Sequence, residues 1–166
     1  FLMAYDEHNS GSDAGPISSQ RWIEKATDWA ARNIPNDKLV LGLAAYGYDW
    51  TPQDGGQTVS FNQAISTALD AETRVHFDND TYNLDFSYVD NANNVLHRVF
   101  LTDAATIFNT MRFGTEYGLG GFGLWRLGTE DDRVWNFYGK NLSRSAIAKT
   151  NVAAIMQPTG KDDVNF

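Results

Sequence analysis

The sequence predicts an α/β protein built on a parallel sheet, with an α+β segment inserted into it. Three runs, residues 1–5, 38–46 and 120–125, are almost continuously apolar, as strands buried on both faces must be. Segments with apolar residues at helical spacing separate these runs, and that alternation makes the strands parallel. Between the second and third runs the pattern changes: apolar and polar residues alternate, the mark of an antiparallel hairpin covered on one face only.

Taken in order, Phe1, Leu2, Met3, Ala4 and Tyr5 read as the first buried strand, and the Gly- and Ser-rich residues 6–15 as a loop. Pro16 with Ser18 or Ser19 offers a helix start. Trp22, Ala26, Trp29 and Ala30 recur at helical spacing, which predicts a helix over 19–33. Pro35, Asn36 and Asp37 stop it. Residues 38–46 form the second strand. Ser60 and Gln63 spell a capping box, so a helix follows to about Asp70. Leu84, Phe86 and Tyr88 alternate with polar neighbours, residues 90–94 turn, and residues 95–101 return as the partner strand. Thr102 or Asp103 caps a helix to about Tyr117, where Gly118 ends it. After the third buried strand, Asp131 or Asp132 opens a last helix through Trp135 and Tyr138. Beyond Ser145 the pattern weakens, and residues 157–166 read as a linker or frayed tail.

The 166 residues fit one domain on the usual length prior. A formal charge of −8 argues against nucleic acid and against an anionic membrane surface, because phosphate binding needs clustered Lys and Arg. It suits a neutral or cationic ligand. The lack of cysteine excludes disulfides, thiolate metal sites and a cysteine nucleophile. No run approaches the ~18 consecutive apolar residues of a membrane span. No signal peptide is visible, and a chain that opens inside a strand suggests a segment of something longer.

All three apolar strands end on aromatic residues: Tyr5-Asp6, Tyr46-Gly47-Tyr48 and Trp125-Arg126. In parallel α/β folds the ligand site lies at the carboxyl ends of the strands, where loops leave a rigid scaffold. Aromatic and hydrogen-bonding groups gathered there suit a sugar. Its apolar ring face lies flat on an indole or phenol, and its hydroxyl and amide groups need placed partners. Any one of these aromatics reads equally well as core. Their coincidence at three strand ends favours the site.

Met3-Ala4-Tyr5-Asp6-Glu7-His8, then residues 38–50 (KLVLGLAAYGYDW), then residues 120–128 (GGFGLWRLG), in that order and spacing, resemble the family 18 glycoside hydrolases. Within that family they are most similar to the bacterial chitinase-like branch that includes spore-cortex-lytic enzymes. The resemblance runs to about Tyr138. It implies a partial (β/α)8 TIM barrel, namely its last three β/α units with an inserted α+β subdomain. Residues 1–50 then hold barrel strands six and seven with the helix between them, and residues 51–101 the insertion. Residues 102–140 hold the last helix, strand and helix, and residues 141–166 a C-terminal tail or linker.

The resemblance also implies substrate-assisted, retaining hydrolysis of an N-acetylated polysaccharide such as chitin or peptidoglycan. It implies no metal or other cofactor, and a protein that is secreted, periplasmic or held in the cell envelope. In that mechanism Tyr5 hydrogen-bonds the substrate acetamido group, which attacks its own anomeric carbon. Asp6 orients that amide and balances the developing charge. Trp125 is the floor on which the reacting sugar stacks, and Met3, Tyr46 and Trp50 line the groove.

One part of the family pattern is missing. The general acid is a Glu closing an Asp-rich motif (D-x-x-D-x-D-x-E) on barrel strand four, and these 166 residues contain no such motif. A glycosidase must protonate the leaving oxygen, so this chain alone is expected to be inactive. The rival reading is a non-catalytic glycan-binding or structural module of a larger envelope polysaccharide-processing protein. Three strands also cannot close an eight-stranded barrel. That predicts exposed apolar edges, and either self-association or pairing with the missing barrel half.

Other candidates fall away on spacing. Asp78-Asn79-Asp80 begins like a calcium loop, but Asn83 stands where Gly is needed and Val89 where the closing Glu is needed. His8, His76 and His97 lack metal-ligand spacing. Glu130-Asp131-Asp132 reads as an acidic helix start. Glu7 follows Asp6 on a strand and so faces the other way.

Overall fold

The computed structural model describes residues 1–156, so the linker expected at 157–166 lies outside the described residues. In chain order the strands are β1 (Val40–Ala44), β2 (Gly47–Thr51), β3 (Gly55–Val59), β4 (His76–Phe77), β5 (Leu84–Asp90), β6 (Val95–Leu101) and β7 (Gly121–Trp125). The helices are α1 (Gln20–Ala31), α2 (Phe61–Asp70), α3 (Ala104–Glu116) and the single turns α4 (Arg144–Ile147) and α5 (Val152–Ile155).

Two sheets organise the molecule. In the first, β1 and β7 run parallel with Ala44 opposite Trp125, and Leu2 bridges in parallel to Leu41. The parallel order is therefore the N-terminal run, β1, β7, but residues 1–5, expected as a buried strand, make only that one bridge and leave Phe1 and Met3 exposed, since no further chain covers their outer side among the described residues. The second sheet is antiparallel, in the order β3-β2-β6-β5-β4.

Helices cover these sheets through faces their sequences dictate. Ser19 caps α1 by accepting from the Trp22 N–H, and Ile23, Thr27 and Ala30 recur on the buried stripe. Ile23 packs with Ala4 and Leu41 under the N-terminal run. Asp103 caps α3, accepting from the Thr106 N–H at 2.8 Å, and Ile107, Phe108 and Met111 pack with Leu43, Val134 and Phe137. Ser60 and Gln63 form the reciprocal capping box of α2, which lays Phe61 and Ile65 on Phe86, Val99 and Leu101 of the second sheet.

The two sheets are tied where the chain passes between them. The Thr102 hydroxyl donates to the Ala44 carbonyl at 2.9 Å, and the Thr102 N–H to the Tyr46 carbonyl at 3.2 Å. The Thr129 hydroxyl donates to the Ala45 carbonyl at 2.7 Å, while the Thr129 carbonyl accepts from the Phe61 N–H at 2.9 Å. The junction admits no bulk: a Cβ on Gly47 would stand 2.6 Å from the Phe100 carbonyl oxygen.

Several elements differ from the sequence expectation. The second strand is shorter than expected, Val40–Ala44 instead of 38–46, and residues 47–51 form a separate strand that pairs with β3 and β6. The second sheet therefore begins earlier than residue 51. β3 escaped notice because Gly55-Gly56-Gln57-Thr58-Val59 carries almost no apolar signal. The last helix is a 3-10 turn over Asp132–Asn136, capped by Asp131. Val134 and Phe137 are both fully buried, and their three-residue spacing matches the tighter helix. Part of the stretch expected as a tail packs as core: Leu142 and Ile155 are buried with Leu43 and Ile107. Short apolar contacts of this kind have no period to announce them.

Candidate functional site

Strand geometry gathers one rim. Tyr5 closes the N-terminal run and Asp6 follows it, Tyr46 follows β1, and Trp125 ends β7 in register with Ala44. The Ala45 N–H donates to the Trp125 carbonyl at 2.7 Å, which holds these two chain ends level.

Asp6 sits at φ 58°, a left-handed conformation that Asp tolerates better than most residues. One of its carboxylate oxygens accepts from the Tyr46 hydroxyl and, at 3.3 Å, from the Tyr48 hydroxyl. The rings form a run: Tyr5 lies edge-on to Tyr46 at 6.3 Å, and Tyr46 edge-on to Tyr48 at 5.6 Å. Burial pushes the Tyr46 phenol far above its ordinary pKa of 10.0, and the hydrogen bond to Asp6 and the Asp6 charge push it the same way. Tyr5 and Tyr48 are raised too, by burial first and by the Asp6 charge next. All three hydroxyls thus stay protonated and able to donate at neutral pH.

A cleft of about 280 Å³ opens beside this group, near the lower end of the ~300–1,000 Å³ usual for small-molecule sites. Asp6, Tyr46, Tyr48, Gln63, Trp125 and Arg126 are among its lining residues. Trp125 is 56% exposed, an uncovered indole at the mouth. The cleft spans both sheets, since Thr58 and Ser60 come from the inserted segment.

Of the residues expected here, the fold brings Tyr46, Asp6 and Trp125 to the cleft and Tyr5 against Tyr46. Met3 and Trp50 do not line it. Met3 is exposed outside the cleft. Trp50 is 4% exposed, its N–H donates to the Asn9 carbonyl at 3.2 Å, and its ring packs against Tyr48 and Phe100. It supports the tyrosines from behind. Tyr48 was missed as a carboxylate partner, although its two-residue spacing from Tyr46 places both side chains on one side of an extended chain. Arg126 stands at an expected strand end but was given no role there, and Thr58 and Gln63 gave no signal of a site, because only tertiary contact brings them to the rim.

The remaining polar groups have local roles. Glu7 turns away from Asp6 and accepts from the Ser19 N–H at 2.8 Å. Asp78 accepts from the Asp80 N–H at 2.8 Å and the Thr81 hydroxyl at 2.9 Å, and the backbone bond holds its carboxyl below the usual range. His97 meets Asp49 at 2.9 Å and Tyr88 at 3.0 Å. Among the described residues no three His, Cys, Asp or Glu side chains converge as metal ligands would.

The fold and the rim define an α/β protein whose candidate site stands at the carboxyl ends of parallel strands. Its kinship is specific: the chain belongs to family 18 of the glycosyl hydrolases, whose profile residues 1–130 match. It is 32% identical over 139 residues to the cortical fragment-lytic enzyme of Bacillus subtilis, across 81% of this chain and 32% of that one. Among solved structures it is similar to a chitinase from Chromobacterium violaceum, with a TM-score of 0.75 and 32% identity over 80% of this chain and 42% of that one. The Bacillus cereus spore cortex-lytic enzyme SleL superposes with a TM-score of 0.73 and 26% identity, over 80% of this chain and 32% of that one. The chain spans 31% to 39% of the length of the curated relatives it matches first.

Proposed function

We propose that this chain forms the last three β/α units of a (β/α)8 barrel, with an α+β insertion, and that its cleft holds an N-acetylated glycan of the chitin or peptidoglycan kind. The observation that carries the reading is the convergence of the Tyr46 and Tyr48 hydroxyls on Asp6 in a cleft mouthed by Trp125. Trp125 stacks on the apolar face of a sugar ring. Tyr5 donates to the acetamido oxygen. That oxygen attacks the anomeric carbon of its own ring, the bond to the leaving oxygen breaks, and the positive charge arising on the amide is balanced by Asp6. The two phenols keep the Asp6 carboxylate fixed while the charge develops.

Protonation of the leaving oxygen needs an acid, and Asp6 is the one carboxylate that lines the cleft among the described residues. The acid therefore belongs to the remainder of a full barrel, and this chain alone binds without cleaving. A non-catalytic glycan-binding module is the second reading, favoured by that same single carboxylate. The whole protein acts where such polymers lie, secreted, in the periplasm or in the cell envelope. The open strand edges lead the chain to associate with itself or with the rest of a barrel.

The test is a titration with soluble N-acetylglucosamine oligomers, followed by tryptophan fluorescence. Wild type gives saturable binding, and Trp125→Ala loses about tenfold or more in affinity, the loss of one stacked ring. No binding, or binding indifferent to Trp125, overturns the proposal.

A further inference from the structure

Arg126 follows Trp125 directly and lines the same cleft, exposed to solvent. A cation in that position ordinarily finds a neighbouring carboxylate, and Glu130, Asp131 and Asp132 lie a few residues on. The first two are committed elsewhere. Glu130 accepts from the Thr129 N–H at 3.0 Å and from the Trp135 indole N–H at 3.2 Å. Asp131 is buried, and accepts from the Arg133 guanidinium and from the Ala104 N–H at 3.0 Å. Asp132 is exposed at the start of the 3-10 turn. Asp6, across the cleft, has one oxygen taken by two phenols. Among the described residues Arg126 enters no ion pair.

We propose that Arg126 is a specificity residue, selecting glycans that carry a carboxylate on the N-acetylated sugar seated beside Trp125. The inference rests on the reading of this cleft as a glycan site. A guanidinium offers a planar fork that holds a carboxylate through two parallel N–H bonds, a geometry no neutral hydroxyl matches. The chain's formal charge of −8 opposes an anion only at long range. At physiological ionic strength charges beyond ~8 Å are largely screened, so the contacting cation decides. An acidic chain thereby accepts an acidic sugar at one point of its surface.

Two probes of identical shape separate charge from fit: an N-acetylglucosamine–N-acetylmuramic acid disaccharide with its lactyl carboxylate free, and the same compound as its primary amide. Wild type is expected to bind the acid about fivefold more tightly than the amide, as a partly solvated, well-oriented ion pair allows. Raising the salt to ~1 M, where the Debye length is ~3 Å, shrinks the preference toward one. In Arg126→Gln the ratio of the two affinities falls to about one, and Arg126→Lys restores part of it. Equal binding of acid and amide by wild type, or a preference unchanged in Arg126→Gln, overturns this proposal and leaves the glycan reading standing. Failure of both probes and of neutral oligomers to bind overturns both.

Discussion

Asp6 is the residue on which the site turns, and its surroundings predict how the molecule responds to mutation and to alkali. Hydrogen bonds to a charged acceptor contribute about 1.5–3 kcal/mol each when made within a protein. Tyr46→Phe removes the buried donor and leaves Asp6 with the longer bond from Tyr48 at 3.3 Å. The expected loss of stability is about 1–2 kcal/mol, read as a lower urea midpoint with unchanged slope. The pH dependence has a definite sign. The folded chain holds the Tyr46 proton more tightly than the unfolded chain, whose phenol titrates near 10.0. The stabilisation is therefore complete below that pH and is lost as pH rises beyond it. Thermal unfolding midpoints of wild type should fall above pH 10.0 more steeply than those of Tyr46→Phe. Parallel curves for the two proteins would refute the idea that Asp6 and burial hold that proton.

At the level of elements, two kinds of local signal differ in what they cost to break. The capping box of α2 lies near the surface and satisfies helix-end N–H groups through Ser60 and Gln63. Ser60→Ala should cost about 1 kcal/mol. Gly47 opens β2, where the chain passes from the parallel to the antiparallel sheet, and a methyl group there meets the backbone of β6, which cannot yield as a side chain end can. Gly47→Ala should cost more, about 1–3 kcal/mol. Urea unfolding of both variants decides the order, and a Ser60→Ala loss exceeding that of Gly47→Ala contradicts it. The caps and helices were readable in the sequence because they rest on neighbours within four residues: Ser19 before α1, Ser60 before α2, Asp103 before α3. The β2–β3 hairpin was not, because a glycine-rich edge strand is made by its partner and not by its own pattern.

For the whole molecule, α1 reveals an unbalanced surface. One side of it faces α3, with Asp28 accepting from the Tyr117 hydroxyl, and the underside carries Ile23, Thr27 and Ala30 into the core. The opposite flank presents Trp22 and Trp29, seven residues apart on one stripe, 41% and 68% exposed. Phe1 and Met3 on the adjoining N-terminal run are 90% and 70% exposed. An apolar flank beside a chain segment paired on one edge only is what a further β/α unit would cover. In isolation the chain should associate with rising concentration, and Trp22→Lys with Trp29→Lys should move it toward monomer in sedimentation velocity. A wild type that stays monomeric across the concentration range contradicts this.

The sequence by itself determined the alternation of apolar runs and helices, where each long helix begins, and the aromatic residues that close three of those runs. Those features rest on spacings of two to four residues, which any stretch of chain displays unaided. Tertiary structure alone decided that Asp6 is held by phenols some forty positions away, that Trp50 supports the cleft from behind and Met3 lies outside it, and that Arg126 lines the cleft with no ion pair among the described residues. Each of those outcomes depends on which strands pair, in what register, and where one sheet hands the chain to the other. Such choices are settled by the packing free energy of the assembled core, which no local pattern records.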